Sequence, residues 1–442
     1  MKFFFLLLVL FFTQNCSFDN KTGIWKNSEF EENKKNKNFE GFEDVSSNSN
    51  SYFNEIVNLK KNYKFSFSPT VLSSNWTESY FDKTNNYPNF LYLNNNNLIF
   101  QSKKLSRKKI NKNILFNNNF LITSDTSGKI IVYSFDGQRI LHKYNFYKKK
   151  YKKIQKKINY ILKNNFLYVS DNLGYLYAYN YVENKVIWAK KFNAPFRSNI
   201  KIDTNKLFLA DENNNLLIID AGNGNILRKI PTEQTLVKNN FISNISINKD
   251  NLLFLNTFGS LYSINTNSLK VNWFTNISPT LNINLENLFF SNEIKNFKSD
   301  LIISTKYSLK VLDSQNGRIR YDIPIKSVIS PAIVDDYIFI ITDTNLLISI
   351  EISSGKIIYA YKINEIITNN SKLKNKDIGI RLLRFINNSI FIFLDNSYIV
   401  KLSPDANFKE IYKLPQKIQS NPIFLQKLML YISHNNKLIV LN

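Results

Sequence analysis

A hairpin that returns eight times at intervals of about 44 residues constrains this chain more than any other feature. One copy runs Asn119-Phe-Leu-Ile-Thr-Ser-Asp125-Thr-Ser-Gly128-Lys-Ile-Ile-Val-Tyr-Ser134, and the next runs from Asn165 through Asp171 and Gly174 to Asn180. Each is an apolar strand, a polar turn with Asp and Gly, and a second apolar strand, the pattern of a β-hairpin. The frame recurs over 206–220, 251–265, 300–313, 337–351, 389–403 and 427–442. The residues closing the second strand are Ser134, Asn180, Asp220, Asn265, Asp313, Glu351, Ser403 and Asn442. A period of this length is that of a four-stranded propeller blade, and eight closing positions predict eight blades.

A further turn and strand follow each closing position. Gly224, Gly317 and Gly355 stand four residues after it, where a turn calls for positive φ, and Trp188, Trp273, Tyr321 and Tyr359 stand eight after it. One large flat side chain per repeat is expected to wedge between adjacent blades. His142, Arg228 and Ile411 occupy this place in three units. The eighth copy ends at the last residue and lacks its outer strand, which 97–102, ahead of the first copy, is placed to supply. The expected fold is therefore all-β: an eight-bladed β-propeller of four-stranded antiparallel blades over 76–442, its last blade closed by an N-terminal strand.

The N-terminus carries a different signal. Met1-Lys2 precedes ten apolar residues, Phe3 to Phe12, too few to span a bilayer but right for the apolar core of an export signal. The single cysteine of the chain, Cys16, follows immediately, so no intrachain disulfide is expected. Residues 1–15 read as a signal peptide. Residues 16–75, rich in Asn, Ser, Lys and Glu, read as a lipidated cysteine followed by a flexible tether.

The closing Asp, the Gly four later and the aromatic eight later resemble the repeat of pyrroloquinoline-quinone-type propellers. A cysteine placed as in a lipoprotein signal resembles the lipobox, although Thr13, Gln14 and Asn15 replace its usual small and aliphatic residues. Signal, single domain and eight blades together are similar to the BamB family of outer-membrane protein assembly lipoproteins. The resemblance implies a non-catalytic scaffold, lipid-anchored at the periplasmic face of the outer membrane. It would bind the barrel-assembly protein and its complex, and unfolded outer-membrane chains, without a cofactor. It also implies a partner-binding loop of apolar-x-apolar-Arg type, matched here by Ala194-Pro195-Phe196-Arg197, with Phe196 and Arg197 as contact residues. The family's nearby acidic pair is replaced by Asn240 and Ile242.

Two other classes compete. A quinoprotein-type dehydrogenase shares the fold, but its vicinal cysteine pair cannot form from one cysteine, and the aspartates here fall in repeat turns, where bonding to backbone explains them. Two histidines, His142 and His434, are the whole supply for imidazole acid–base work, and no metal-binding cluster is spelled out. A periplasmic propeller that binds peptides along its blade edges is the other alternative. The net charge of +24 invites a nucleic-acid reading, yet the lysines are dispersed among Asn, Ile and Phe, as in an AT-rich coding sequence, and no base-reading motif accompanies them. The densest run, Lys148 to Lys157, is either a solvated inter-blade loop or a contact for anionic lipid or an acidic partner.

Overall fold

The computed structural model describes residues 16–18, 25–27, 52–147, 149–233, 243–278, 289–327, 329–375 and 378–442. Residues 1–51 and 52–442 form separate compact units. Of the first, two short strands are described, Cys16–Phe18 and Trp25–Asn27, paired antiparallel with Cys16 opposite Asn27.

The second unit holds eight four-stranded antiparallel sheets, the blades of a propeller. Blade 2 is representative: Ile158–Lys163, Phe166–Asp171, Tyr175–Asn180 and Lys185–Lys191, labelled here a to d. The a strands of several neighbouring blades touch one another around the axis. Strands b and c are buried on both faces because a blade packs on each side, which is why they read as continuous apolar runs. The d strands lie outermost and alternate between half-buried and exposed, as in Arg139–Asn145. Strand c ends at Ser134, Asn180, Asp220, Asn265, Asp313, Glu351, Leu402 and Leu441, within one residue of every closing position read from the sequence. In blade 8 the d strand is Leu98–Gln101, paired with Leu438–Leu441 with Leu98 opposite Leu441.

Composition now has a structural cause. The chain has only 11 glycines, and left-handed turn positions fall instead to asparagine, the non-glycine residue that tolerates them best. Asn118 and Asn119 (φ 48° and 64°) form the two-residue turn between strands a and b of blade 1, and Asn387 and Asn388 (49° and 52°) do so in blade 7.

The segment from Tyr52 was expected within a tether and is instead laid on the propeller. Val57 exchanges backbone hydrogen bonds with Ala360 in the outer strand of blade 6 (3.1 and 2.9 Å). Phe65 and Phe67 then pack among Tyr337, Phe339 and Phe385. Scattered aromatics with no strand period thus anchor an extended run of chain by isolated contacts. From Ser68 to Leu93 the chain crosses the mouth of the central channel and bonds the a-strand ends of all eight blades. Trp76 and Phe116 exchange two hydrogen bonds of 2.8 Å in blade 1, Leu162 N–H donates to Thr77, and Lys201 Nζ donates to the Asp82 carbonyl at 2.7 Å. Ile247 N–H donates to Lys83, Asn296 N–H to Thr84, Ser68 Oγ to Asp335, Asn387 N–H to Phe90 and Gln426 N–H to Ser73. Inner strand ends that would otherwise need water are satisfied by this plug.

Candidate functional site

At several inter-blade seams one ring fixes how the blades stack. The Trp188 indole N–H donates to Ala221 O of blade 3 at 2.9 Å, and Tyr321 Oη donates to Ile352 O of blade 6 at 2.9 Å. Tyr359 Oη reaches Pro404 O of blade 7 at 2.8 Å. His142 takes the same place in blade 1, its Nε2 3.3 Å from Val182 O, so this histidine is a seam residue. In the b–c turns, Asp125, Asp171 and Asp211 each accept two backbone N–H groups through Oδ1, at 2.8–3.2 Å. The repeat aspartates are thereby engaged in holding turns. Among the described residues no cluster of His, Cys, Asp or Glu could hold a metal ion.

Strand direction puts the b–c turns and the d–a connections at the face opposite the plug. The loop Ala194–Arg197 lies there, but Phe196 is not presented to solvent. Its N–H donates to Asp171 O at 3.1 Å, the Arg197 N–H donates to Ala210 O at 2.9 Å, and these bonds press the Phe196 ring onto Phe192 with centroids 5.1 Å apart. Phe196 is 3% exposed, a core residue between blades 2 and 3, which corrects its expected role as an exposed contact. Arg197 is half-buried. Asn240 and Ile242 lie outside the described residues, as do the signal peptide and the side chain of Cys16. In the basic run Lys149, Lys152, Lys153 and Lys157 are exposed beside Ile154, whereas Lys156 is buried, donating to Tyr151 O with its Nζ 5.1 Å from the centre of the Tyr147 ring.

The same face opens onto a pocket of about 210 Å³ at the axis, with Tyr80 and Tyr87 of the plug on one side and Glu293, Ser330, Arg381 and Arg384 of blades 5 to 7 on the others. Two cations approach the Tyr87 ring, Arg384 Cζ at 3.8 Å and Lys295 Nζ at 4.8 Å from its centre. Lys295 also donates to Asn85 O at 3.1 Å and lies 3.4 Å from Glu293. Burial pulls the Lys295 ammonium down to about 8, against the opposing pull of Glu293. Burial works to raise the Glu293 carboxyl, but Lys295 first, then hydrogen bonding from Ser330 and the backbone, with a smaller pull from Arg384, hold the group below the usual carboxylate range. Nothing in the sequence pattern pointed to this pocket, because its walls come from four blades and the plug.

Eight four-stranded blades closed by the N- and C-terminal strands of the ring, with an aromatic hydrogen-bonded across three of the seams, define a pyrroloquinoline-quinone-type propeller. A sequence model of one family of that class, described as outer membrane protein assembly factor BamB, matches residues 120–361. The chain belongs to that BamB family. Among solved structures it is similar to BamB from Moraxella catarrhalis, with 12% identity over 78% of this chain and 99% of that one and a TM-score of 0.61. A europium-containing methanol dehydrogenase aligns over 83% of this chain and 89% of its own with 9% identity and a TM-score of 0.59. The computationally designed Ika8 protein aligns over 78% and 99% with 9% identity and a TM-score of 0.55. At these identities the likenesses speak to fold alone. No curated protein matches in sequence.

Proposed function

We propose that this chain is a non-catalytic scaffold lipoprotein of the outer-membrane barrel-assembly machinery, anchored through Cys16 at the periplasmic face of the outer membrane. The observation that carries this reading is the BamB family match, which falls on a closed eight-bladed ring. The repeat aspartates support a scaffold, since backbone N–H groups occupy them in turns. In this reading the partner-binding face is the one opposite the plug, where Arg197 and the exposed lysines of 149–157 project. Arginine suits such a contact because its planar fork bonds carboxylates bidentately. The dehydrogenase likeness, at 9% identity, carries no activity to this chain.

The test is affinity purification from detergent-solubilised envelopes through a tag joined by a linker after Asn442, followed by mass spectrometry. Recovery of an outer-membrane barrel with periplasmic repeat domains is expected. Recovery of a cytochrome or a bound quinone instead would overturn the scaffold reading.

A further inference from the structure

The pocket at the axis holds a buried guanidinium whose hydrogen-bonding capacity is not filled. The Arg384 side chain is 7% exposed, and its Nε meets no hydrogen-bond acceptor. One of its terminal nitrogens, Nη1, donates only to the neighbouring Leu383 carbonyl at 2.8 Å. Arg381 gives both terminal nitrogens to backbone carbonyls, Ile418 at 3.2 Å and Gln419 at 2.5 Å. Neither guanidinium forms a salt bridge among the described residues. The carboxylate on the wall, Glu293, is matched by Lys295. The charged residues lining the pocket are two arginines and one glutamate, so the lining carries an excess of positive charge.

A guanidinium withdrawn from water without an anion is costly, and such groups are found paired. Stacking on Tyr87 offsets part of that cost and fixes the plane of the fork, but leaves Nε unbonded. A planar fork with a free N–H suits the oxygens of a carboxylate or phosphate. The cavity of about 210 Å³ exceeds the space a single water needs, and Tyr80 and Tyr87 give it an aromatic side against which the body of a small organic anion could rest.

We propose that the axial pocket is a binding site for a small oxyanion, a carboxylate or phosphate, with Arg384 as its principal ligand and Arg381 as a second cation on the wall. The site is independent of the assembly reading and stands or falls separately from it. The plug closes the channel behind the pocket, so the anion enters from the opposite face, the one bearing Arg197. Occupancy would tie blades 6 and 7 to Tyr87 of the plug.

Isothermal titration of the full-length protein in detergent with inorganic phosphate, and separately with succinate, tests this. Saturable binding of one or both is expected, the pair distinguishing phosphate from carboxylate preference. Arg384→Met is expected to weaken it at least tenfold, with circular dichroism to verify folding, while Arg228→Gln on an outer strand leaves it unchanged. Crystals of the unsubstituted protein grown with selenate supply a readout that needs no variant: an anomalous peak within hydrogen-bond distance of Arg384. No saturable heat with either anion, wild-type affinity in a folded Arg384→Met, or a selenate peak absent from the pocket would each overturn the site.

Discussion

The Trp188 indole of blade 2 lies flat on Gly224 of blade 3, so close that a Cβ on the glycine would sit 2.6 Å from the ring. Gly224 also has φ 74°, so any larger residue there is strained twice over. Gly224→Ala is expected to destabilise the protein by about 2 kcal/mol or more. Gly137→Ala is the control, since a Cβ there meets nothing closer than 3.5 Å. Equal melting temperatures for the two variants would show that the seam does not depend on this contact.

The plug and the blades share a buried ion pair, Lys201 with Glu78, at 1% and 7% side-chain exposure. Removing one partner leaves the other charge stranded, so Glu78→Gln is expected to cost about 3–5 kcal/mol in urea unfolding. The double variant Glu78→Leu/Lys201→Met, which removes both charges, should recover most of that loss. If the double variant is as unstable as the single one, the pair is not what the plug relies on here.

Lys295 makes stability depend on alkaline pH. Its native value of about 8 lies below the ordinary lysine value, so between roughly pH 8 and 10.5 the unfolded chain binds the extra proton. The sign is therefore positive: unfolding free energy rises with pH across that window, by roughly 3 kcal/mol in all, and the penalty is fully present below it. The charged or titratable groups around Lys295 are Glu293, Arg384, Asp82 and Tyr87. Denaturant titrations at pH 7.5 and 10 should show this rise in the wild type and not in Lys295→Met. Identical pH slopes in the two proteins would refute it.

Phe196 and Arg197 are expected to behave differently despite being neighbours. Phe196→Ala removes a ring 3% exposed between two blades and should cost about 3–5 kcal/mol of stability. Arg197→Ala should cost less stability than Phe196→Ala while reducing recovery of the barrel partner in the purification described above. Undiminished recovery would remove Arg197 from the interface.

Lys149, Lys152, Lys153 and Lys157 form an exposed cationic cluster. Each lysine near an anionic bilayer is worth about 1 kcal/mol, and the attraction is screened over about 8 Å at physiological salt. Replacing all four by glutamine should release the protein from phosphatidylglycerol vesicles in sedimentation assays, and so should high salt. Vesicle binding that is equal in variant and wild type would assign the cluster to plain solvation.

The ring was legible in the sequence because a blade is a local object: two apolar runs about a polar turn recur in every repeat, and Asp or Gly marks the turns of several. Trp188, Tyr321 and Tyr359 announced the seams by spacing alone. The plug was not legible, since Trp76, Phe90 and Tyr92 make single contacts to different blades and show no period. The apolar-x-apolar-Arg pattern of Ala194–Arg197 marked Phe196 as a contact residue. Two backbone hydrogen bonds, invisible to composition, turn it inward. Arg384 and Tyr87 are 297 residues apart, and nothing in either neighbourhood tells of the other.

The seam between Leu98–Gln101 and Leu438–Leu441 also sets a timetable. Closing it joins strands separated by most of the chain, and such long-range pairing is the slow part of folding. Seven blades can form in order of synthesis, but the eighth cannot complete until the final residues have emerged. Once they have, and until Leu98–Gln101 docks, the outer edge of Leu438–Leu441 is open, and a copy of Leu98–Gln101 from a second molecule could fill it. The last step of folding is therefore also the step at which two molecules can exchange strands, and dilution during refolding should favour the monomer.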